Sequence, residues 1–146
     1  MIASFELAML AKEKGFDLPC IYAYCERGGW NKYTGKIDPI KHVLRTDGNP
    51  FGSYYIGKNW NQKYKTNKNK IRCSAPTLDE VQKWLREKHK IQINIIARDF
   101  RESYIWWVYE IVFPIGESRT HAIYNEEFKT FEQALESGII HALNNL

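Results

Sequence analysis

Three absences narrow this chain of 146 residues before any motif is read. No apolar run approaches the ~18 consecutive residues that a membrane-spanning helix needs. The opening Met1-Ile2-Ala3-Ser4-Phe5-Glu6 has no basic stretch, and Glu6 and Lys12-Glu13-Lys14 interrupt its apolar residues, so it does not read as a signal peptide. Cysteine is scarce. Cys20, Cys25 and Cys73 are odd in number and lack CxxC spacing, which argues against a disulfide framework or a zinc site and predicts reduced thiols in a cytosol. A recognisable catalytic motif is missing too. The expectation is a non-enzymatic cytoplasmic protein that uses no cofactor and no metal.

What is present fits a folded domain. Hydrophobic residues make up 44% and charged residues 26%, too much apolar content for wholesale disorder. A chain of this length buries roughly two-thirds of the surface its unfolded form exposes, enough for one core spanning residues 1 to 146. The clearest pattern runs from residue 74 onward. Thr77 with Glu80 predicts a capping box, and Thr130 with Gln133 repeats the spacing. After Thr77, Leu78, Val81, Trp84 and Leu85 fall on one helical face. After Thr130, the same period runs through Phe131, Ala134, Leu135, Gly138, Ile139, Ala142, Leu143 and Leu146.

Between these helices, Ile91 to Ala97, Tyr104 to Phe113 and Arg119 to Tyr124 are rich in β-branched and aromatic residues and read as strands. Both alternating sets of the Tyr104 strand are mostly apolar, which predicts a central strand covered on both faces. An earlier helix is capped by Ser4 and stopped at Gly15, and a strand comes next over Cys20 to Cys25, ended by Gly28-Gly29. The fold class expected is α+β: a mainly antiparallel sheet with three packing helices and an α-β-β-β-α unit at the C-terminus.

A loop-rich basic insert, at about 28 to 73, interrupts this frame. Its short apolar runs, His42-Val43-Leu44 and Ser53-Tyr54-Tyr55-Ile56, predict brief strands of a meander. Residues 1 to 26 sum to −2, residues 27 to 72 to +9 and residues 73 to 146 to −3. The insert is thus the only stretch whose field favours an anionic partner. Within it, Lys58 to Arg72 contains no acid and reads as an exposed loop.

The helix phrase Phe5-Glu6-Leu7-Ala8 ending Lys14-Gly15-Phe16-Asp17-Leu18-Pro19-Cys20, the phrase Ser74-Ala75-Pro76-Thr77 followed by Lys83-Trp84-Leu85-Arg86-Glu87-Lys88-His89, and the ending Thr130 to Gly138 go together. In these the chain resembles a family of small proteins borne by bacteriophages and prophages. That resemblance implies a phage origin and attaches no activity and no site.

Two binding readings remain. Lys58, Trp60, Lys63, Tyr64, Lys65, Lys68, Lys70 and Arg72 combine phosphate-neutralising charge with rings that stack on bases, the pattern of a weakly specific nucleic-acid contact. Helix, three strands, helix is also the element order of the double-stranded-RNA-binding domain. That domain has lysines clustered where this chain reads Lys129-Thr130-Phe131-Glu132-Gln133, so only the order is shared. The leading reading is a protein partner or a homodimer, signalled by surplus aromatics such as Tyr104, Trp106, Trp107 and Tyr109 in one strand. A His121–Glu110 pair on the sheet is the only acid/base candidate, and a polar surface pair is the simpler expectation.

Overall fold

The computed structural model describes residues 1–46, 59, 61, 71–100, 104–115 and 118–146. They form two compact units: Ser4–Pro76, and Met1–Ala3 with Thr77–Leu146. In chain order the elements are α1 (Phe5–Glu13), β1 (Tyr22–Asn31), β2 (Lys36–Thr46), β3 (Ile71–Ala75), α2 (Leu78–Lys88), β4 (Gln92–Phe100), β5 (Tyr104–Ile115), β6 (Ser118–Phe128) and α3 (Phe131–Asn144). The α+β class, three helices and antiparallel pairing agree with the sequence. The strands divide into two three-stranded sheets, ordered β2-β1-β3 and β4-β5-β6.

The Thr77–Leu146 part is built as its caps and periods predict. Thr77 Oγ accepts from Glu80 N at 3.2 Å while Glu80 Oε2 accepts from Thr77 N at 2.7 Å, completing the box. Thr130 Oγ accepts from Gln133 N at 3.2 Å. Between the helices, β5 is central, paired with β4 through Gln92↔Val112 and with β6 through Val112↔His121. In the middle of β5, Val108 and Val112 on one side and Tyr109 and Ile111 on the other are all buried. Trp84, Leu85, Leu135 and Ile139 are buried as expected, whereas Phe131 and Leu146 at the ends of the α3 stripe are exposed. Gly138 explains itself: a Cβ there would lie 3.0 Å from Ile93 Cγ2 and 3.2 Å from the Tyr109 ring, so α3 rests its backbone on the sheet.

Helix α2 ends at His89, whose ring meets Trp84 edge-on at 4.5 Å and whose Nε2 is buried with no hydrogen-bond partner among the described residues. Burial, and then the charge of Lys88, push its pKa below the ordinary 6.5. The unfolded chain therefore binds this proton more readily than the fold does. His89 contributes full stability above about pH 6.5 and loses it progressively as pH falls below that value towards the lowered folded pKa. Urea midpoints measured from pH 7.5 to 5 should show this acid-side decline, and His89→Asn should flatten it.

In the Ser4–Pro76 unit, α1 starts and stops as expected. Ser4 Oγ accepts from Leu7 N at 3.2 Å, and Gly15 adopts φ +85° before the buried Phe16. The strands after α1 depart from the sequence expectation. Strand β1 does not end at Gly28-Gly29 but runs through them to Asn31, and β2 is an eleven-residue strand rather than a brief one. With β3, which takes in Ile71 and Arg72, the supposed insert supplies most of a sheet. The expected strand Ser53 to Ile56 lies outside the described residues.

Gly28 is why the strand continues. Between the pairs Arg27↔Lys41 and Gly29↔Asp38, β2 contains one residue more than β1, a bulge at Pro39-Ile40. Gly28 faces it at φ +131°, and a Cβ there would sit 2.4 Å from the Pro39 carbonyl oxygen. Gly28→Ala should therefore cost ~2–4 kcal/mol, combining positive-φ backbone strain with a contact to rigid main chain. Gly35→Ala, at φ +64° with nothing within 4 Å, should cost only ~1 kcal/mol. Equal denaturation midpoints for the two variants would contradict the bulge geometry.

Candidate binding surface

The bulge in β2 redirects its side chains. Ile37 pairs with Trp30 and Leu44 with Tyr24, positions an even number apart on β1 and so on one side of the sheet. The extra residue resets the alternation and keeps these aliphatics together, with Ile40 at the bulge between them. They are not covered: Ile37 is 77% exposed, Ile40 60% and Leu44 44%. Helix α1 occupies the same side further along, where the Phe5 ring stacks on His42 at 3.7 Å and meets Tyr24 edge-on at 5.4 Å. The aliphatics thus extend an apolar patch that α1 begins.

The other side of the hairpin is mainly basic. Lys41 pairs with Arg27 and Lys36 with Asn31, on the side opposite Ile37 and Leu44; both lysines are exposed, and Asp38, paired with Gly29, stands between them on that side. At the turn, Lys32 Nζ lies 4.9 Å from the centre of the Tyr33 ring, which is 87% exposed. The unit as a whole has thirteen Lys and Arg against six Asp and Glu, a net +7, while the Thr77–Leu146 part has eight against eleven, a net −3. Strand β2 ends the order β2-β1-β3 and carries Pro39, a residue tolerated at sheet edges because it donates no ladder hydrogen bond.

The basic-aromatic candidates fare unevenly. Lys58, Trp60, Lys63, Tyr64, Lys65, Lys68 and Lys70 lie outside the described residues. Arg72 is in β3, not in a loop, and its guanidinium pairs with the Glu26 carboxylate of β1, so its charge is already engaged within the sheet. Asn61, from the same stretch, is a structural clamp: its Oδ1 accepts from Ser74 N at 2.9 Å and its Nδ2 donates to Phe16 O at 2.7 Å.

In β5, Tyr109 is buried, Trp106 and Trp107 are half-buried and Ile105 is 59% exposed. On β2 the exposed apolar side chains form a row. The bulge hid it from the sequence, where Ile37, Ile40 and Leu44 follow the helical spacing i, i+3, i+7 and not the period of two that a strand shows. Gly28 followed eleven residues later by Pro39 was the available signal.

By register Glu110, opposite Ile123, and His121, opposite Val112, are diagonal neighbours on one face of the β5–β6 pair. Glu110 also pairs in register with Asn94 and accepts from its Nδ2 at 2.8 Å. Cys20, Cys25 and Cys73 are buried free thiols. Burial pushes Cys73 up to about 11 despite the nearby Lys12 charge, with Cys25 adding to the rise, so it is a poor nucleophile at neutral pH. Among the described residues no group of three His, Cys, Asp or Glu is placed to hold a metal, and no helix is long and apolar enough to cross a membrane. A wide recess of about 490 Å³ beside α3 holds Tyr109, Glu126, Ser137 and His141. There the Tyr109 hydroxyl lies 3.1 Å from His141 Nδ1. Compared with protein-family models, with curated proteins and with solved structures, the chain gives no match.

Proposed function

We propose that this is a non-enzymatic accessory protein of phage or prophage origin that acts in the cytoplasm by binding a protein partner through β2. The single observation carrying this reading is the row Ile37, Ile40 and Leu44, exposed on a strand that is at the sheet edge among the described residues. Burying two such side chains against a partner contributes about 3–6 kcal/mol before the cost of association. Selection from a displayed library of random extended peptides tests it. The wild type should enrich binders, and an Ile37→Ser/Ile40→Ser variant with unchanged circular dichroism should not. Equal enrichment by both proteins would reject the reading.

Nucleic-acid binding is the second reading, favoured by the net +7 of the Ser4–Pro76 unit. Its contacts would come from the Lys58 to Lys70 segment, and with about four phosphates engaged on a single strand the log–log salt slope would be ~−3. Changing Lys63, Lys65, Lys68 and Lys70 to Ser should then abolish gel retardation of an oligonucleotide. A wild type that retards nothing at low salt removes this reading.

A further inference from the structure

We infer that the partner of β2 is an extended segment of alternating apolar and acidic residues, added to the sheet as a further strand. This rests on β2 being the docking strand. Two independent features set the chemistry. Ile37 and Leu44 are exposed on one side of β2; the other carries Lys36, Lys41 and Arg45 with Asp38 as its one acid, a net positive side. A strand laid beside β2 presents its own side chains alternately to these two sides. Apolar residues then cover the aliphatics while acidic ones meet the lysines. Period-two alternation is the only pattern that serves both.

The ladder has a defined extent. Pro39 offers no N–H, and the bulge disturbs the edge around it, so main-chain pairing is interrupted at Pro39-Ile40 and falls on the two stretches either side, Lys36–Asp38 and Lys41–Thr46. Tyr33 and Lys32 at the turn lie beyond both and are not required for them. A second copy is disfavoured as the occupant. Pairing β2 with itself would bring together two units that each carry a net +7. A nucleic acid satisfies the lysines and leaves three large aliphatics in water, which the acidic strand does not.

Three labelled decapeptides alternating valine with glutamate, glutamine or lysine, titrated by fluorescence anisotropy, test the inference. The glutamate peptide should bind roughly tenfold more tightly than the glutamine peptide in dilute buffer, since exposed ion pairs are individually modest, and the lysine peptide weakest. The preference should shrink as salt rises past a Debye length of ~10 Å near 0.1 M. Lys36→Glu/Lys41→Glu should reverse the order, and Ile37→Ser/Ile40→Ser should weaken the glutamate and glutamine peptides alike.

Equal binding of the glutamate and glutamine peptides, still lost in the Ile37→Ser/Ile40→Ser variant, would overturn the acidic partner and leave the docking strand standing. Binding of none of the three would overturn both. A labelled oligothymidylate held more tightly than any peptide, and untouched by the isoleucine substitutions, would assign the lysines to nucleic acid and reject the inference. Binding of the glutamate peptide that vanishes above the dimer threshold seen by analytical ultracentrifugation would hand the edge to a second copy and reject it too.

Discussion

Trp84→Ala is expected to lower the unfolding free energy by ~3–5 kcal/mol, the largest effect of any single truncation here. Trp84 is the bulkiest of the fully buried side chains, and its neighbour on the helix, Leu85, is also buried. Removing the indole leaves a cavity that backbone fixed by the capping box at Thr77 cannot collapse into. Leu135→Ala, on the buried face of α3, should cost ~2–5 kcal/mol for the same reason. In a domain at the low end of the ordinary ~5–15 kcal/mol the two losses together exceed the stability, and at the high end they remove about half of it. Denaturant titration checks this, and an unshifted midpoint for either variant would contradict the placement of its helix.

Gly138→Val should be nearly as damaging through the opposite cause. At Gly138 even a Cβ stands 3.0 Å from Ile93 Cγ2 and 3.2 Å from the Tyr109 ring. Two further methyl groups have no room unless α3 lifts from the sheet, an overpacking cost of ~1–3 kcal/mol or more. Gly138→Ala separates the terms: alanine gains ~1 kcal/mol of helix propensity and loses it again to the crowded Cβ, so its midpoint should hardly move. A valine variant as stable as the wild type would mean the helix does not lie against Ile93 and Tyr109.

These two sites were legible in the sequence because each rests on a local rule. Thr77 with Glu80 is a spacing, and a glycine in the middle of the regular α3 stripe asks for a close neighbour. The Tyr104 strand was legible as central because both its alternating sets are apolar. The β1–β2 hairpin was not, for a physical reason. Gly28-Gly29 read as a strand terminator, yet Gly28 adopts a positive φ inside the strand to face a bulge. The bulge in turn scrambles the spacing of Ile37, Ile40 and Leu44, so the exposed row emerges only from the register. Surplus aromatics pointed to β5, and composition does not say which of them a helix covers: α3 lies against Tyr109, while Trp106 and Trp107 stay half-buried. The basic segment drew attention by its charge and interleaved rings, and its one described cation, Arg72, pairs with Glu26 at the sheet surface.

Amide hydrogen exchange across β2 tests the central claim most directly. With the valine–glutamate decapeptide added in excess, the outward-facing amides between Lys41 and Thr46 should gain protection, while α3 and β4 to β6 exchange as before. Protection absent from β2, or appearing instead on the Thr77–Leu146 unit, would contradict the assignment of β2 as the binding strand.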